Sequence, residues 1–130
     1  MNDFANSIAV SASGMKAQAA RLRHVSENIA NTDTPGYHRK TVPFEPDRDA
    51  PEGTAMVAVG RVRLDQTEPE RIFDPSHPLA DDTGYYDGSN VNLMIEIADA
   101  REAQQSYEAN LKMFDQARLM SANLLELLRK

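Results

Sequence analysis

Three histidines, a run of aspartates and a handful of serines are the residues of this sequence that could carry chemistry. His24, His38 and His77 are far apart along the chain, and none has a second histidine or carboxylate at ligand spacing. The run Asp81-Asp82-Thr83-Gly84-Tyr85-Tyr86-Asp87-Gly88 invites a calcium reading. It does not place acidic or amide residues at positions one, three and five together, and it lacks the closing Glu at twelve of a calcium loop, so it reads as a solvated turn. Ser7, Ser11 and Ser13 have no base within reach, and Gly84 and Gly88 precede no Lys-Ser/Thr, which leaves neither a nucleophile nor a phosphate loop. Lys16, Arg21 and Arg23 form a mild basic patch of the kind usually found on a solvated face. His24 is expected to be solvated as well. The expectation is therefore no catalytic, cofactor-binding or metal-ligating residue, no cofactor, and no enzyme.

The whole chain supports that direction. In 130 residues, 14 basic side chains face 20 acidic ones, for a net charge of −6. A phosphate backbone or an anionic membrane is bound by clustered cations, so neither nucleic acid nor direct membrane insertion is expected. The first residues show no basic segment followed by an apolar one, and a cleaved signal peptide is not expected. The absence of cysteine rules out disulfides and thiolate chemistry.

Helix breakers divide the sequence. All seven prolines and five of the six glycines fall between residues 32 and 90. That insert also holds twelve acidic and six basic residues, which account for the chain's acidity. Three segments are predicted: an N-terminal helix over 1–31, a Pro/Gly-rich loop and small β module over 32–90, and a C-terminal helix over 91–130.

In the first helix Phe4, Ile8, Met15, Leu22, Val25 and Ile29 form a stripe, with Ile8, Met15, Leu22 and Ile29 spaced by sevens. Gly14 is its weak point. Asn31 is expected to adopt the left-handed conformation past its end, before Pro35-Gly36 forbids continuation. The second helix has Asn92 as N-cap, Glu96 and Asp99 near the positive end of the dipole, and Arg129-Lys130 at the negative end. Its stripe runs Leu93, Ile97, Ala100, Gln104, Tyr107, Leu111, Phe114, then slips by one to Ala117, Ser121, Leu124 and Leu128. Glu108–Lys112 and Glu126–Lys130 are expected ion pairs. Two such ends predict a mainly α fold: long terminal helices packed as an antiparallel coiled-coil-like pair, with a short β-hairpin module between them. In that module the apolar phase of Val57 and Val59 flips at Gly60 to Val62 and Leu64, as a bulge or bend would require. Thr41-Val42 and Arg71-Ile72-Phe73 are its candidate partners, with Tyr85-Tyr86 as a cover.

Two motifs carry a family resemblance. Ser26-Glu27-Asn28-Ile29-Ala30-Asn31-Thr32-Asp33-Thr34-Pro35-Gly36-Tyr37 resembles the signature that closes the first helix of the bacterial flagellar axial (rod and hook) proteins. Asn90-Val91-Asn92, with Tyr107-Glu108-Ala109-Asn110 further on, resembles their second signature. Asp74-Pro75-Ser76-His77-Pro78-Leu79-Ala80-Asp81, followed by Gly84-Tyr85, resembles a stretch found in proximal-rod members. The resemblance implies a structural subunit of the proximal rod. Such a subunit leaves the cell through the flagellar export apparatus with an uncleaved N-terminus. It polymerises helically with itself and other rod proteins into the periplasm-spanning drive shaft of the basal body, as motility requires. The rival reading is a cytosolic coiled-coil adaptor or export chaperone. Under the rod reading, Ile8, Met15, Leu22, Ile29, Ile97, Leu111, Phe114, Leu124 and Leu128 are an assembly and packing stripe. A free monomer should then have mobile ends, and a lone chain should expose several of Leu93, Met94, Met113, Met120, Leu124 and Leu128.

Overall fold

The computed structural model describes residues 2–129, with side chains from residue 3; Lys130, and with it the expected Glu126–Lys130 pair, lies outside them. Two long helices, α1 (Asn2–Ala30) and α2 (Leu93–Leu128), pack along each other. Between them run six short strands: β1 (Lys40–Thr41), β2 (Phe44–Pro46), β3 (Val57–Val59), β4 (Arg63–Leu64), β5 (Arg71–Phe73) and β6 (Tyr85–Asp87). This is the expected mainly α architecture with a small β insert. Neither described helix is long and apolar enough to cross a membrane.

The termini of the helices follow from local chemistry, with one correction. Asn92 caps α2, its Oδ1 accepting from the backbone N–H of Met94 at 3.1 Å. Asn31, by contrast, does not turn left-handed. Its N–H continues the helical pattern onto Glu27 and Asn28, and the positive φ of this connection falls at Gly36 (+74°), where a Cβ would be strained. Among the described residues, the ion pair within α2 is Asp115–Arg118, at 3.8 Å, in place of Glu108–Lys112.

The insert consists of two hairpins. In the first, β1 pairs with β4 (Lys40↔Leu64) and β2 with β3 (Phe44↔Val59), all antiparallel. Two residues, Val42 and Pro43, face three, Gly60 to Val62, so the register slips by one at the bulge that the apolar phase flip requires. Gly60 allows it: a Cβ there would lie 2.7 Å from Glu45 Oε1 and 2.8 Å from Pro43 Cγ. The second hairpin corrects an expectation. Arg71-Ile72-Phe73 pairs with Tyr85-Tyr86-Asp87, not with the Val57–Leu64 segment, because eleven residues closed by Asp74 and Gly84 form its own turn.

Asp81 organises that turn. Its Oδ1 accepts from the Thr83 hydroxyl (2.6 Å), the Thr83 N–H (2.9 Å) and the Tyr85 N–H (3.1 Å), and its Oδ2 pairs with Arg71 (2.7 Å). The Thr83 hydroxyl, then Arg71 and the Tyr85 N–H, hold its carboxyl well below the usual carboxylate range. A depressed folded-state pKa contributes stability above the unfolded value, lost only as pH falls through the lower folded one. The Tyr85 and Thr83 amide resonances should therefore hold their positions from neutral pH to about pH 4, where an ordinary Asp is half protonated. A titration of these amides at that ordinary midpoint would contradict the arrangement.

The seam between the helices is small and polar. On α1, Gly14, Arg21 and Asn28, spaced by sevens, meet Asn110, Asp99 and Glu96 of α2. On α2 the inward positions are Glu96, Ala103, Asn110 and Ala117, again in sevens, three of them buried and Asn110 partly so. Continuing this register puts Asn2 opposite Ala122, so the last turns of α2 run past the described part of α1. Gly14 permits the close approach, since a Cβ there would lie 2.8 Å from the Asn110 amide atoms. Gly14→Ala should change stability by less than about 1 kcal/mol, because the gain in helix propensity is offset by displacing Asn110 from its bond to the Ser106 carbonyl. Gly14→Val adds bulk that this contact cannot yield to, and should cost about 1–3 kcal/mol in urea denaturation. Equal stability of the two variants would refute the contact.

Candidate functional site

At the end of the helix pair where α1 stops and α2 begins, the chain gathers its most connected polar cluster. Asn28 is fully buried. Its Nδ2 donates to the Lys40 carbonyl (2.9 Å) and to Glu96 Oε2 (3.2 Å). Its Oδ1 accepts from the Tyr37 hydroxyl (2.8 Å) and the Lys40 N–H (2.9 Å). An amide has two donors and two lone pairs, and all four are used. Glu96, equally buried, accepts from Arg39 Nε through its other oxygen.

Arg39 joins three parts of the chain. Beyond Glu96, its guanidinium reaches Asp99 Oδ2 (2.6 Å) on α2 and Asp65 (3.8 Å) just after β4. Its backbone N–H donates to Asn90 Oδ1 at 2.6 Å. Asn90 in turn donates through Nδ2 to the carbonyls of Asp65 (2.7 Å) and Thr67 (3.0 Å). Burial pulls the Arg39 pKa down, but the hydrogen bond and charge of Glu96, with Asp99 and Asp65, outweigh it and raise the value overall. Burial likewise raises that of Tyr37. At the rim, Lys40 Nζ bonds Glu27 Oε2 (2.9 Å), lowering the carboxyl and raising the amine. Arg21 adds a second cation on Asp99, at 3.3 Å. With each charge answered by a partner, the cluster functions as a clasp fixing the end of α1, the start of α2 and the roots of both hairpins.

The expected motif residues divide by position. Asn28, Tyr37 and Asn90 are built into the clasp. Asn31 and Thr34 shape the helix exit, the Thr34 hydroxyl donating to Asn31 Oδ1 (3.0 Å), and the Gly36 N–H beyond Pro35 reaches the Gly88 carbonyl (3.2 Å). Asn92 caps α2 behind the half-buried Val91, and Asn110 covers Gly14. Ile29, Ala30, Glu108 and Ala109 face outward, and Tyr107 is half-buried.

The apolar stripe sits beside the seam. Ile8, Met15, Leu22, Phe114 and Leu124 are half-buried; Ile29, Ile97, Leu111 and Leu128 are exposed. Met15, Leu22 and Ile29 each follow the inward residues Gly14, Arg21 and Asn28 by one, and Ile97 and Leu111 follow Glu96 and Asn110 likewise. One residue is about 100° of rotation, enough to turn the large side chains out of the seam. Leu93, Met94, Met113, Met120 and Leu128 are exposed in the lone chain, with Leu124 half-buried.

The histidines are less solvated than expected. His24 is not solvated: its side chain keeps only 12% of its accessibility, 3.9 Å from Glu27. It lies beside the first hairpin, whose packing on α1 could not be read from the helix alone. His38 Nδ1 bonds the Asp65 carbonyl (3.0 Å), and His77 stacks on Tyr86 at 3.9 Å. The residues missed were Arg39, Glu96 and Asp99 as a unit. The signal available was the small or polar heptad Glu96-Ala103-Asn110-Ala117, which an apolar search passes over.

Residues 8–38, ending in the clasp, match the model of the flagella basal body rod protein family. Residues 82–127 match the flagellar basal body rod FlgEFG protein C-terminal model. Over 127 residues the chain is 42% identical to the flagellar basal-body rod protein FlgC of Agrobacterium fabrum, covering 92% of this chain and 91% of the relative. The FlgC proteins of Aquifex aeolicus (34%, 88% of this chain and 89% of the relative) and Salmonella typhimurium (30%, 91% and 92%) are similar over nearly the same extent.

Proposed function

The chain belongs to the flagellar basal-body rod protein family, and we propose that it is a structural, non-enzymatic subunit of the proximal rod, polymerising helically through its terminal helices into the shaft that transmits torque. The observation that carries the polymer is the offset of the apolar stripes from the seam. Ile97 (48% exposed) and Leu111 (40%) each sit one residue round from the seam and keep a large part of their surface in solvent. Apolar surface repeated along both helices is what neighbouring subunits cover in a helical array. Its partners on this reading are other copies and other rod proteins, after passage through the flagellar export apparatus, and its place is the periplasm-spanning rod.

The adaptor or chaperone reading leaves unexplained why relatives along nearly the whole chain are rod proteins. Fractionation tests the proposal. The tagged chain should co-purify with detergent-extracted basal bodies, and its deletion should abolish swimming until the gene is restored. A purely cytosolic pool in motile cells would overturn it.

A further inference from the structure

The second hairpin is braced by polar contacts along a largely exposed loop. β5 and β6 pack on each other, and the hairpin is tied to the body near its base, by Gly36 N–H to Gly88 O and Ser89 Oγ to Thr32 O. Residues 74–84 between its strands form a loop that would ordinarily be mobile. Instead Asp74 and Asp81 each collect bonds from the backbone and hydroxyls that follow them, Arg71 bridges Asp81 and Asp87, and His77 stacks on Tyr86. The fixed loop holds Leu79 (63% exposed) in solvent, with Asp82 exposed nearby in sequence and Phe73 (61% exposed) at its root. A rigid loop presenting an apolar side chain costs little to order on binding, so it is a prepared contact.

A complementary surface lies elsewhere on the same chain. Between α1 and the first hairpin is a cleft of about 520 Å³ lined by Lys16, Arg23, His24, Ala20, Val59 and Val62. No carboxylate lines it, although Glu45 lies over Gly60 at its margin and Glu27, paired with Lys40, stands 3.9 Å from His24. Arg61 and Arg63 are exposed on the adjoining strand segment. An apolar floor with a basic rim answers an apolar tip with an acidic flank, and the tip's own surroundings are acidic.

We propose that the β5–β6 tip of one copy, led by Leu79 with Asp82 beside it, seats in the Lys16/Arg23 cleft of a second copy. The tip and the cleft of each copy engage different neighbours on this proposal, so the contact runs head-to-tail and propagates. Reciprocal seating between two copies would close a dimer and give one doubled band on oxidation, which would overturn it. The inference rests on the reading that copies of this chain assemble together, and it names the contact.

The native chain has no cysteine, so disulfide trapping is clean. Val62→Cys and Leu79→Cys would be introduced together into the full chain, basal bodies purified from cells making it, and mild oxidant applied. A ladder of this chain alone, absent from either single variant, is the expected result. If the chain is present in basal bodies but the ladder does not form, or Leu79→Cys is trapped on a different protein, the tip contact is wrong and the rod reading stands. If unmodified chain is missing from basal bodies, the rod reading itself falls. Should the cysteines disturb folding, charge exchange serves. Arg23→Glu and Asp82→Lys should each cut incorporation at least about tenfold, and the pair together should recover most of it. A double variant no better than the singles overturns the contact.

Discussion

Arg39→Met should destabilise the isolated chain by about 3–5 kcal/mol, the range for removing one partner of a buried ion pair. The cost comes from what is left behind. Glu96 has no accessible surface, and with the guanidinium gone only the Asn28 amide answers its charge. Asp99 would keep Arg21, at 3.3 Å, so the loss concentrates on Glu96. Arg39 itself retains about a fifth of its side-chain exposure, which favours the lower half of that range. The double variant Arg39→Met/Glu96→Gln removes the stranded charge as well and should recover at least half of the loss. Urea denaturation followed by helical circular dichroism provides the measurement. A single variant within 1 kcal/mol of the parent, or a double variant worse than the single, would show that the clasp does not hold the helix ends as described.

The substitution also shows which parts of the molecule could be read in advance. Breakers concentrated in residues 32–90, with Gly14 the one exception, and seven-residue spacings on either side were enough to predict two long helices around a β insert, because backbone propensity and hydrophobic period act locally. Asn92 as a cap and the bulge at Gly60 were legible for the same reason: each needs only a few neighbouring residues. The clasp was not. Arg39, Asp65, Asn90 and Glu96 come from four separate segments, and nothing in the spacing of Arg39 marks it as the cation that buries Glu96. Glu96 was legible as a carboxylate near the start of a helix, favourable to the dipole. Its burial depends on Asn28 arriving from the other helix. The same limit misplaced His24, since exposure on a helix is decided by what docks there.

The seam register was not legible for a more instructive reason. A search for apolar heptads finds Ile8-Met15-Leu22-Ile29 and the Ile97 and Leu111 row, and assumes that the largest hydrophobes face the nearest partner. In this chain the nearest partner takes the small and polar row, Gly14 on Asn110 and Asn28 on Glu96, which lets the backbones come close. The large side chains are displaced to the flank. Within a single chain that choice is costly, since burying such a side chain is worth about 1.5–3 kcal/mol. It becomes favourable only when something else covers the flank.

Leu111→Asp separates these two roles. Leu111 is 40% exposed in the lone chain, one residue round from Asn110, which sits against Gly14. About three fifths of it is covered there, so its loss should cost the monomer about 1–2 kcal/mol, less than the several expected in the rod. In the assembled rod the same position would place a carboxylate against a neighbour's apolar flank, and desolvating an unpaired charge costs several kcal/mol at every copy. The expected phenotype is a chain that is made at near-parental levels, folds with only a modestly lowered urea midpoint and leaves the cytoplasm, in cells that do not swim and whose basal bodies stop before the rod is complete. Phe114→Ala is the control, because Phe114 is half-buried on the side of α2 that follows the seam and its truncation should lower monomer stability measurably. Normal swimming by the Leu111→Asp strain, or a monomer destabilised as much as by Phe114→Ala, would mean that the flank is part of the intrachain fold. In that case the offset stripe would give no physical basis for polymerisation.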